Sequence, residues 1–214
     1  MGTNETFDLA GPAGRLEAIL MLPDAAPRAA AVVCHAHPLQ GGVMHFKVVF
    51  RAAKALQAEN VAALRFNFRG VGRSEGRHDE GRGELDDVRA ALDELARRFP
   101  GLPLLTGGFS FGSVMALRAG CADARIRALF GLGFPMTMVR DPAFLQGCTR
   151  PRLFVQGEND AFGSGPAFRA MVAALPEPKT LVLVAGADHF FSGQLEEMQE
   201  AVRAWAATRP WKEP

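Results

Sequence analysis

The stretch Thr106-Gly107-Gly108-Phe109-Ser110-Phe111-Gly112, near the middle of the chain, decides the fold. It follows an apolar run at residues 102–105 and precedes a run of small and apolar residues with helical character. A G-x-S-x-G pattern between a strand and a helix is typical of a serine held on a sharp, strained turn. Glycines two residues before and after the serine leave room for neighbouring backbone. The helix that follows presents its positive end to the serine, which favours an oxyanion there.

Around this stretch the chain alternates between short apolar runs and amphipathic segments. Consecutive apolar residues predict strands that are buried on both faces. We expect such strands at residues 30–34, 61–68, 102–105, 128–132, 153–156 and 180–184. Upstream, residues 5–9 and 15–22 flank a glycine- and proline-containing turn, which predicts an antiparallel hairpin.

Helical periodicity fills the gaps between the predicted strands. We expect helices at residues 48–58, 85–99, 111–121, 166–175 and 195–205. Alternation of this kind predicts an α/β architecture: a mostly parallel sheet of about eight strands with helices on both faces. We expect residues 1–214 to form one domain. Loops at the carboxyl ends of the strands are where such folds place their chemistry.

Two polar residues follow later strands in the order that a serine nucleophile requires. Asp160 comes after the strand at 153–156, and His189 comes after the strand at 180–184. An imidazole can take the serine's proton, and a carboxylate can fix the imidazole tautomer. The G-x-S-x-G pentapeptide alone is as typical of a serine that caps a helix as of a nucleophile. The order Ser110, Asp160, His189 after successive strands predicts a catalytic triad. Asp188 and Glu158 are the competing acids, Asp188 being poorly placed because it adjoins His189.

The segment Cys34-His35-Ala36-His37-Pro38 directly follows the strand at 30–34. A loop at this position supplies one backbone N–H of an oxyanion hole, and the residue after the nucleophile, Phe111, supplies the other. Pro38 has no N–H. We therefore predict His37 as the second donor, with Leu39 as the alternative.

Five motifs together resemble the α/β-hydrolase superfamily over essentially the whole chain. They are most similar to the small, lid-poor bacterial hydrolases related to dienelactone hydrolase and the short-chain esterases. The motifs are His35-Ala36-His37-Pro38-Leu39-Gln40-Gly41-Gly42, residues 64–76, residues 107–112, Gly157-Glu158-Asn159-Asp160 and Gly186-Ala187-Asp188-His189-Phe190-Phe191. The resemblance implies the α/β-hydrolase fold and an acyl-serine mechanism without a cofactor.

The chain departs from these relatives at the presumed mouth of the site. Relatives often carry Pro in place of Ala36, an aromatic residue in place of Gln40, and Asp-Asn in place of His45-Phe46. Dienelactone hydrolase itself uses a cysteine nucleophile, so that particular activity is not expected here. The interpretation that follows is hydrolysis of esters or thioesters of small acyl groups. A peptidase, an acyltransferase and a non-catalytic binding protein are the alternatives.

The segment at residues 133–151 is where larger lipases insert a helical cap, and here it has room for about one short helix. We therefore expect a minimal cap and an open site. A shallow apolar shelf for the acyl group is predicted from Phe134, Met136, Met138, Phe144, Phe190 and Phe191.

Composition argues against several other classes of function. The net charge of +1 gives no reason to expect nucleic acid or an anionic membrane as a partner. An arginine cluster at residues 65–82 is interrupted by acids and is interpreted as a solvated loop, in which His78 is exposed. The first nine residues lack a secretory pattern and three cysteines lack metal-type spacing, which favours a cytoplasmic location. The sequence leaves the oligomeric state open.

Cofactor and metal sites are not expected from the sequence. Gly70-Val71-Gly72 follows a strand, but Glu75 stands where a dinucleotide motif needs its third glycine. His35, His37 and His45 form the one cluster of candidate ligands, and no carboxylate or cysteine lies at a usual spacing from them.

Overall fold

The structure, a computed structural model, describes residues 2–139 and 141–212. Met1, Arg140, Glu213 and Pro214 lie outside the described residues. Within the described part the chain forms one eight-stranded sheet with the order β1-β2-β4-β3-β5-β6-β7-β8. The strands are β1 (Asn4–Gly11), β2 (Gly14–Met21), β3 (Ala29–Cys34), β4 (Val61–Phe66), β5 (Leu104–Phe109), β6 (Ile126–Leu132), β7 (Arg152–Gly157) and β8 (Lys179–Val184).

The pairing is parallel from β4 to β8, and the N-terminal hairpin β1–β2 joins this sheet antiparallel through β2 and β4. Five α-helices occur among the described residues. They are α1 (Lys47–Ala58), α2 (Arg82–Arg98), α3 (Phe111–Ala122), α4 (Gly165–Ala173) and α5 (Leu195–Ala207). The predicted α/β-hydrolase fold, with its mostly parallel sheet and N-terminal hairpin, is confirmed.

Alternate residues of the central strands contribute to two separate cores, one on each face of the sheet. In β3, Val32 packs with α2 and α3, whereas Val33 packs with α1 and α5. Because both faces are covered, a run of apolar residues such as Ala29–Cys34 is wholly buried. Helices on both faces are therefore as predicted.

The last strand is less buried than its apolar sequence predicts. β8 lies at the edge of the sheet, where β7 is its neighbour, and most of its residues are partly exposed. The expectation that residues 180–184 are buried on both faces is wrong: within the described chain β8 lacks a strand neighbour on one side, and an open groove between β8 and α5 leaves Thr180 and Val182 uncovered on one face.

β5 is longer than predicted and carries the glycines of the deciding stretch. Gly107 and Gly108 pair with β3 on one side and with β6 on the other. The strand therefore continues to Phe109, and Ser110 follows at the carboxyl edge of the sheet, directly beside the end of β3. This register sets the serine next to the His35–His37 segment.

The segment at residues 133–151 contains two single-turn 3-10 helices, Met136–Met138 and Ala143–Leu145, and no α-helix among its described residues. Residue 140, between them, lies outside the described part. One short helix was expected there. The outcome agrees with the prediction of a minimal cap, although the helical residues are divided between two turns.

Two members of the arginine cluster at residues 65–82, Arg65 and Arg69, are buried and hydrogen-bonded, so the expectation of a solvated loop does not hold for them. Arg65 is buried and donates to the Met44 carbonyl oxygen at 2.6 Å. The Nε and Nη2 atoms of Arg69 donate to Oδ1 of the buried Asp87 carboxylate at 3.1 and 2.7 Å. This charge-assisted pair ties the loop after β4 to α2, whose N-terminal end borders the serine.

No helix in residues 2–139 and 141–212 combines the length and the apolar character needed to cross a bilayer.

Candidate active site

Ser110 occupies a backbone conformation that few non-glycine residues adopt. Its φ and ψ are 53° and −124°, and it forms the N-cap of α3. Such a conformation is strained and persists where the surroundings hold it. Here the Ser110 N–H donates to the Leu132 carbonyl oxygen at 2.9 Å, and the Ser110 carbonyl accepts from the Ser113 hydroxyl at 2.6 Å. Hydrogen bonds to β6 and α3 thus hold the strained turn in place.

The flanking glycines are required by the close approach of β3. A Cβ atom on Gly108 would lie 2.7 Å from the carbonyl oxygen of Cys34, and one on Gly112 would overlap the carbonyl oxygen of His35. Real Cβ atoms do not approach backbone oxygens this closely. The spacing of the motif therefore reflects the packing of the turn against the end of β3.

The structure brings together the three side chains that the sequence predicts as a triad. His189 Nε2 lies 2.9 Å from Ser110 Oγ, and His189 Nδ1 lies 2.8 Å from Asp160 Oδ2. A carboxylate accepts hydrogen bonds, so these partners place the proton on Nδ1 and leave Nε2 to accept from the serine hydroxyl. This tautomer is the one in which the imidazole can act as a base toward Ser110.

Asp160 is 1% exposed and is held by donors on both oxygens. Phe162 N–H donates to Oδ1 at 2.8 Å, and the Gln156 side-chain amide donates to Oδ2 at 2.8 Å. A buried carboxylate needs such partners, because an uncompensated charge in the interior is costly.

The two competing acids have other partners. Asp188 Oδ1 accepts from the N–H groups of Phe190 and Ser192, both at 2.9 Å, and so caps the turn after His189. The hydrogen bond from Ser192 N–H is the main cause that lowers the pKa of Asp188. Glu158 Oε2 accepts from Gly186 N–H at 3.3 Å. Neither carboxylate is hydrogen-bonded to His189 in the described structure.

Three phenylalanine rings surround the imidazole of His189. The ring centroids of Phe162, Phe109 and Phe190 lie 4.6, 5.0 and 5.2 Å from that of His189. Phe109 is buried, whereas Phe190 is 50% exposed. The imidazole is thus packed among aromatic rings, and His189 is 6% exposed.

The two predicted oxyanion donors lie next to each other. The rings of His37 and Phe111 pack at 5.0 Å between centroids. Among the described residues, no acceptor is hydrogen-bonded to the backbone N–H of either one, and Phe111 begins α3, where the first N–H groups have no helical partner. By contrast, Leu39 N–H donates to His37 Nδ1 at 3.2 Å. The geometry therefore favours His37 over Leu39 as a free donor.

His35 is a structural residue of the loop after β3. Its Nε2 accepts from Phe68 N–H at 3.0 Å, so its Nδ1 carries the proton and donates to the Ala36 carbonyl oxygen at 2.7 Å. Burial lowers the pKa of His35 to about 4, which keeps the ring neutral. Both ring nitrogens are thus engaged by backbone. Within the described chain no three His, Cys, Asp or Glu side chains are grouped as metal ligands.

Residues 28–208 match the model of the family described as the alpha/beta hydrolase domain. The chain belongs to this family. The match covers the serine turn, Asp160 and His189, as well as every strand of the parallel sheet from β3 to β8.

Related sequences and structures extend over nearly the whole of this α/β-hydrolase domain. A structure of an α/β serine hydrolase homologue from Coxiella burnetii is 35% identical, with a TM-score of 0.88, and the match covers 94% of this chain and 97% of that one. An α/β serine hydrolase without a lid from Xanthomonas campestris is 33% identical, also with a TM-score of 0.88, over 99% and 97%. An uncharacterised protein of Rickettsia prowazekii is 34% identical over 92% of this chain and 87% of its own.

A cavity of about 630 Å³ lies beside Ser110 in the α/β-hydrolase domain. Its walls come from the N-terminal end of α2, the first turns of α3 and the segment after β6. The apolar lining residues are Leu85, Phe111, Val114, Met115, Pro135, Met138 and Val139, and the charged ones are Glu80, Arg82 and Arg118. A more open groove of about 800 Å³ lies between β8 and α5 and is lined by none of the three triad side chains.

The predicted apolar shelf is partly wrong. Phe134 and Phe191 are fully buried in the two cores, so they cannot contact an acyl group. Met138 is 57% exposed and lines the cavity beside Ser110. The apolar surface beside Ser110 is therefore shared between the segment after β6 and helices α2 and α3. The residues of α2 and α3 carry no sequence signal that separates a cavity wall from a core.

His78 is not exposed, contrary to expectation. Its side chain is 9% exposed, and its Nδ1 lies 2.8 Å from Glu84 Oε1. The ring packs against His37 at 4.8 Å between centroids. Burial is the main cause that lowers the pKa of His37, with the neighbouring charge of His78 as a further cause.

Proposed function

We propose that this α/β-hydrolase cleaves carboxylic ester or thioester bonds of small acyl substrates through an acyl-serine intermediate. One observation carries the proposal. The hydrogen-bonded series Ser110–His189–Asp160, at 2.9 and 2.8 Å, starts from a serine on a strained turn. A serine that merely capped α3 would need neither the strained turn nor the buried carboxylate behind the histidine.

In the first half of the reaction, Ser110 Oγ attacks the acyl carbon while His189 Nε2 takes the hydroxyl proton. Asp160 keeps the other imidazole proton on Nδ1 and stabilises the imidazolium that forms. The backbone N–H groups of Phe111 and His37 receive the negative charge that develops on the carbonyl oxygen. Collapse of the tetrahedral intermediate breaks the bond to the leaving group, which takes its proton from His189.

In the second half, a water molecule takes the place of the leaving group. His189 removes a proton from this water, and the hydroxide adds to the acyl-serine carbon. The second tetrahedral intermediate expels Ser110 Oγ, which recovers its proton from His189, and the carboxylic acid leaves. Residues 133–151 form no lid domain over the serine in their described part, so water and small substrates can enter directly.

Acyl-chain length tests the proposal with the purified protein. We expect kcat/KM on p-nitrophenyl esters to rise over the first few acyl carbons and then to level off or fall, because residues 133–151, in their described part, place only two single-turn 3-10 helices over the open cavity beside Ser110. Each methylene that it buries is worth about 0.8 kcal/mol, or about fourfold in kcat/KM. The measurement is a series from acetate to palmitate, with soluble substrate at every length, alongside acyl-CoA and p-nitroanilide counterparts.

Met138→Ala and Phe50→Ala form a matched pair for this experiment, since both remove a half-exposed apolar side chain. Met138 lines the cavity, so its loss should reduce the gain per methylene. Phe50 lies on α1, on the opposite face of the sheet, and its loss should not. A steady rise to palmitate would show a long acyl tunnel, and faster cleavage of anilides than of esters would favour a peptidase.

Exhaustive chelation is expected to leave kcat/KM unchanged. Both nitrogens of His35 are engaged by backbone groups, and the Ser110–His189–Asp160 mechanism needs no Lewis acid. The measurement compares the ester hydrolysis rate before and after dialysis against EDTA, and again after zinc is added back. A loss of rate that zinc restores would contradict the proposed mechanism.

A further inference from the structure

Gln156 is a buried polar residue of β7, on the same face of the strand as the buried Arg152 and Phe154. It is the residue before the last of β7 and is 0% exposed. Its side-chain Oε1 accepts from Phe134 N–H at 2.8 Å. Its Nε2 donates to Asp160 Oδ2 at 2.8 Å and to the Gly163 carbonyl oxygen at 3.2 Å. One amide thus connects the segment after β6, the acid and the loop that follows the acid.

The partners of Gln156 fix the orientation of its amide group. A backbone N–H can only donate, so the atom facing Phe134 N–H must be the oxygen. The carboxylate of Asp160 and the carbonyl of Gly163 can only accept, so the atom facing them must be the NH₂ group. Rotating the amide by 180° would set donors against donors and acceptors against acceptors. The NH₂ group is therefore held toward Asp160.

Asp160 Oδ2 receives hydrogen bonds from both Gln156 Nε2 and His189 Nδ1, each at 2.8 Å. The oxygen that orients the imidazole is thus also the oxygen that the amide holds. Phe162 N–H holds the other oxygen, so the carboxylate plane cannot turn about its Cβ–Cγ bond without losing a hydrogen bond. Hydrogen bonds to a carboxylate favour its ionised form and spread its charge.

We propose that Gln156 is a positioning residue of the triad, which aims Asp160 Oδ2 at His189 and limits how strongly that oxygen attracts the imidazole proton. The inference rests on the proposed function, because it assigns Gln156 a role in the same reaction. Gln156 acts through Asp160 and needs no contact with the substrate. Partners that orient a functional side chain commonly change activity by about 10- to 100-fold when they are removed.

Other ionisable groups near the Asp160–His189 pair come from the neighbouring loops. Asp188, which precedes His189, interacts electrostatically with the imidazole while it caps its own turn. Glu158, after β7, accepts from Gly186 N–H. The phenylalanine rings that face His189 carry no charge. A new charge at position 156 would therefore act on the pair directly, with two existing carboxylates nearby.

Gln156→Glu keeps the shape of the side chain and the acceptor for Phe134 N–H, but it replaces the NH₂ group with an oxygen beside Asp160 Oδ2. Two buried carboxyl groups at this distance share a proton or repel each other, and the added negative charge favours the protonated imidazole. His189 must be neutral to take the serine's proton. We therefore expect the acid limb of the kcat/KM profile to move to higher pH by about one unit, and kcat to fall about 10- to 100-fold.

Gln156→Met is the second variant, for the case in which the new carboxyl group prevents folding. It fills the same space without a donor, so kcat should fall by a similar factor while KM stays near the wild-type value. Gln57→Glu is the matched control, because Gln57 is also a buried glutamine that donates to a backbone carbonyl, that of Leu22, at 2.8 Å. It should lower the thermal midpoint without moving the pH profile.

The experiment measures kcat, KM and the pH profile of the wild type and of the three variants on a p-nitrophenyl ester, with circular dichroism as the test of folding. A folded Gln156 variant with wild-type kcat and a superimposable pH profile would overturn the inference and leave the proposed function standing. A wild-type protein that neither hydrolyses esters nor reacts at Ser110 would overturn both. A shifted acid limb in Gln156→Glu, absent in Gln57→Glu, supports the positioning role.

Discussion

Ser110→Ala is expected to lower kcat on a p-nitrophenyl ester by about six orders of magnitude and to abolish covalent labelling by a fluorophosphonate. The physical reason is that Oγ is the atom that bonds to the acyl carbon, and no other nucleophile lies on the strained turn at residues 108–112. Residual turnover would come from the oxyanion donors and from substrate binding alone. Intact-protein mass spectrometry and a rate assay measure both effects.

The substitution should leave the fold unchanged, so the loss can be assigned to chemistry. The backbone hydrogen bonds that hold the turn, to Leu132 and from Ser113, do not involve Ser110 Oγ. Alanine accepts the same positive φ at a similar cost. Ser192→Ala is the matched control: this exposed serine lies three residues after His189, and its loss should preserve labelling. Labelling at any residue other than Ser110 would contradict the assignment.

His189→Ala should cost as much as Ser110→Ala, because base and nucleophile act as one unit. Their joint contribution is not additive, so the double variant should be no slower than either single variant. The close approach of Nε2 to Oγ, 2.9 Å, is the structural basis for this expectation. A double variant that is far slower than either single variant would indicate that the two residues act separately.

The sequence predicted the fold well because the signals that decide it are local. Apolar residues predominate in β3 to β7, and nearly all residues of these strands are buried, as expected for a parallel sheet covered on both faces. Element ends were less accurate for a physical reason. β5 continues through Gly107 and Gly108, which have low strand propensity, since two neighbouring strands supply their hydrogen bonds. β8 resembles a buried strand in sequence, and its edge position is set by the topology.

Site residues could be predicted from the sequence where the chemistry restricts the residue type. They were harder to predict where contacts between distant parts of the chain determine a residue's role. The order of Ser110, Asp160 and His189 after successive strands could be predicted, and the structure places these side chains within hydrogen-bond distance. Gln156 was missed, although a polar residue that ends an apolar strand is a usable signal. His78 was expected to be exposed because charges surround it in sequence, yet Glu84, one of those charges, holds it in place.

Cavity walls are the part of the site that sequence reasoning could not separate from the core. Phe134 and Phe191 follow strands in the same way as residues that line sites, yet they pack inward. Leu85 and Val114 look like ordinary core positions of α2 and α3, yet they border the space beside Ser110. The difference depends on how the helices meet above the sheet edge, and short-range patterns carry no information about that.

Asp160→Asn is expected to lower kcat by about four orders of magnitude while the protein stays folded. Phe162 N–H needs an acceptor, so the amide oxygen of the new side chain should take the place of Oδ1. Its NH₂ group then takes the place of Oδ2 and faces His189 Nδ1, which must become an acceptor. Gln156 Nε2 loses its acceptor on Oδ2 and keeps the Gly163 carbonyl oxygen. The imidazole proton moves to Nε2, and the ring can no longer accept the proton of Ser110. The measurement is the kcat of purified Asp160→Asn at the pH optimum of the wild type.

Glu158→Gln and Asp188→Asn are the matched controls for Asp160→Asn, because each removes one carboxylate charge from a loop beside the triad. Glu158 and Asp188 accept from backbone N–H groups, and an amide oxygen can still accept those hydrogen bonds. Neither substitution alters a partner of His189 Nδ1, so kcat should stay close to the wild-type value in both. If Glu158→Gln were far more damaging than Asp160→Asn, the acid would have been misassigned. An acid that sets the tautomer must contact the ring, and Asp160 does so at 2.8 Å.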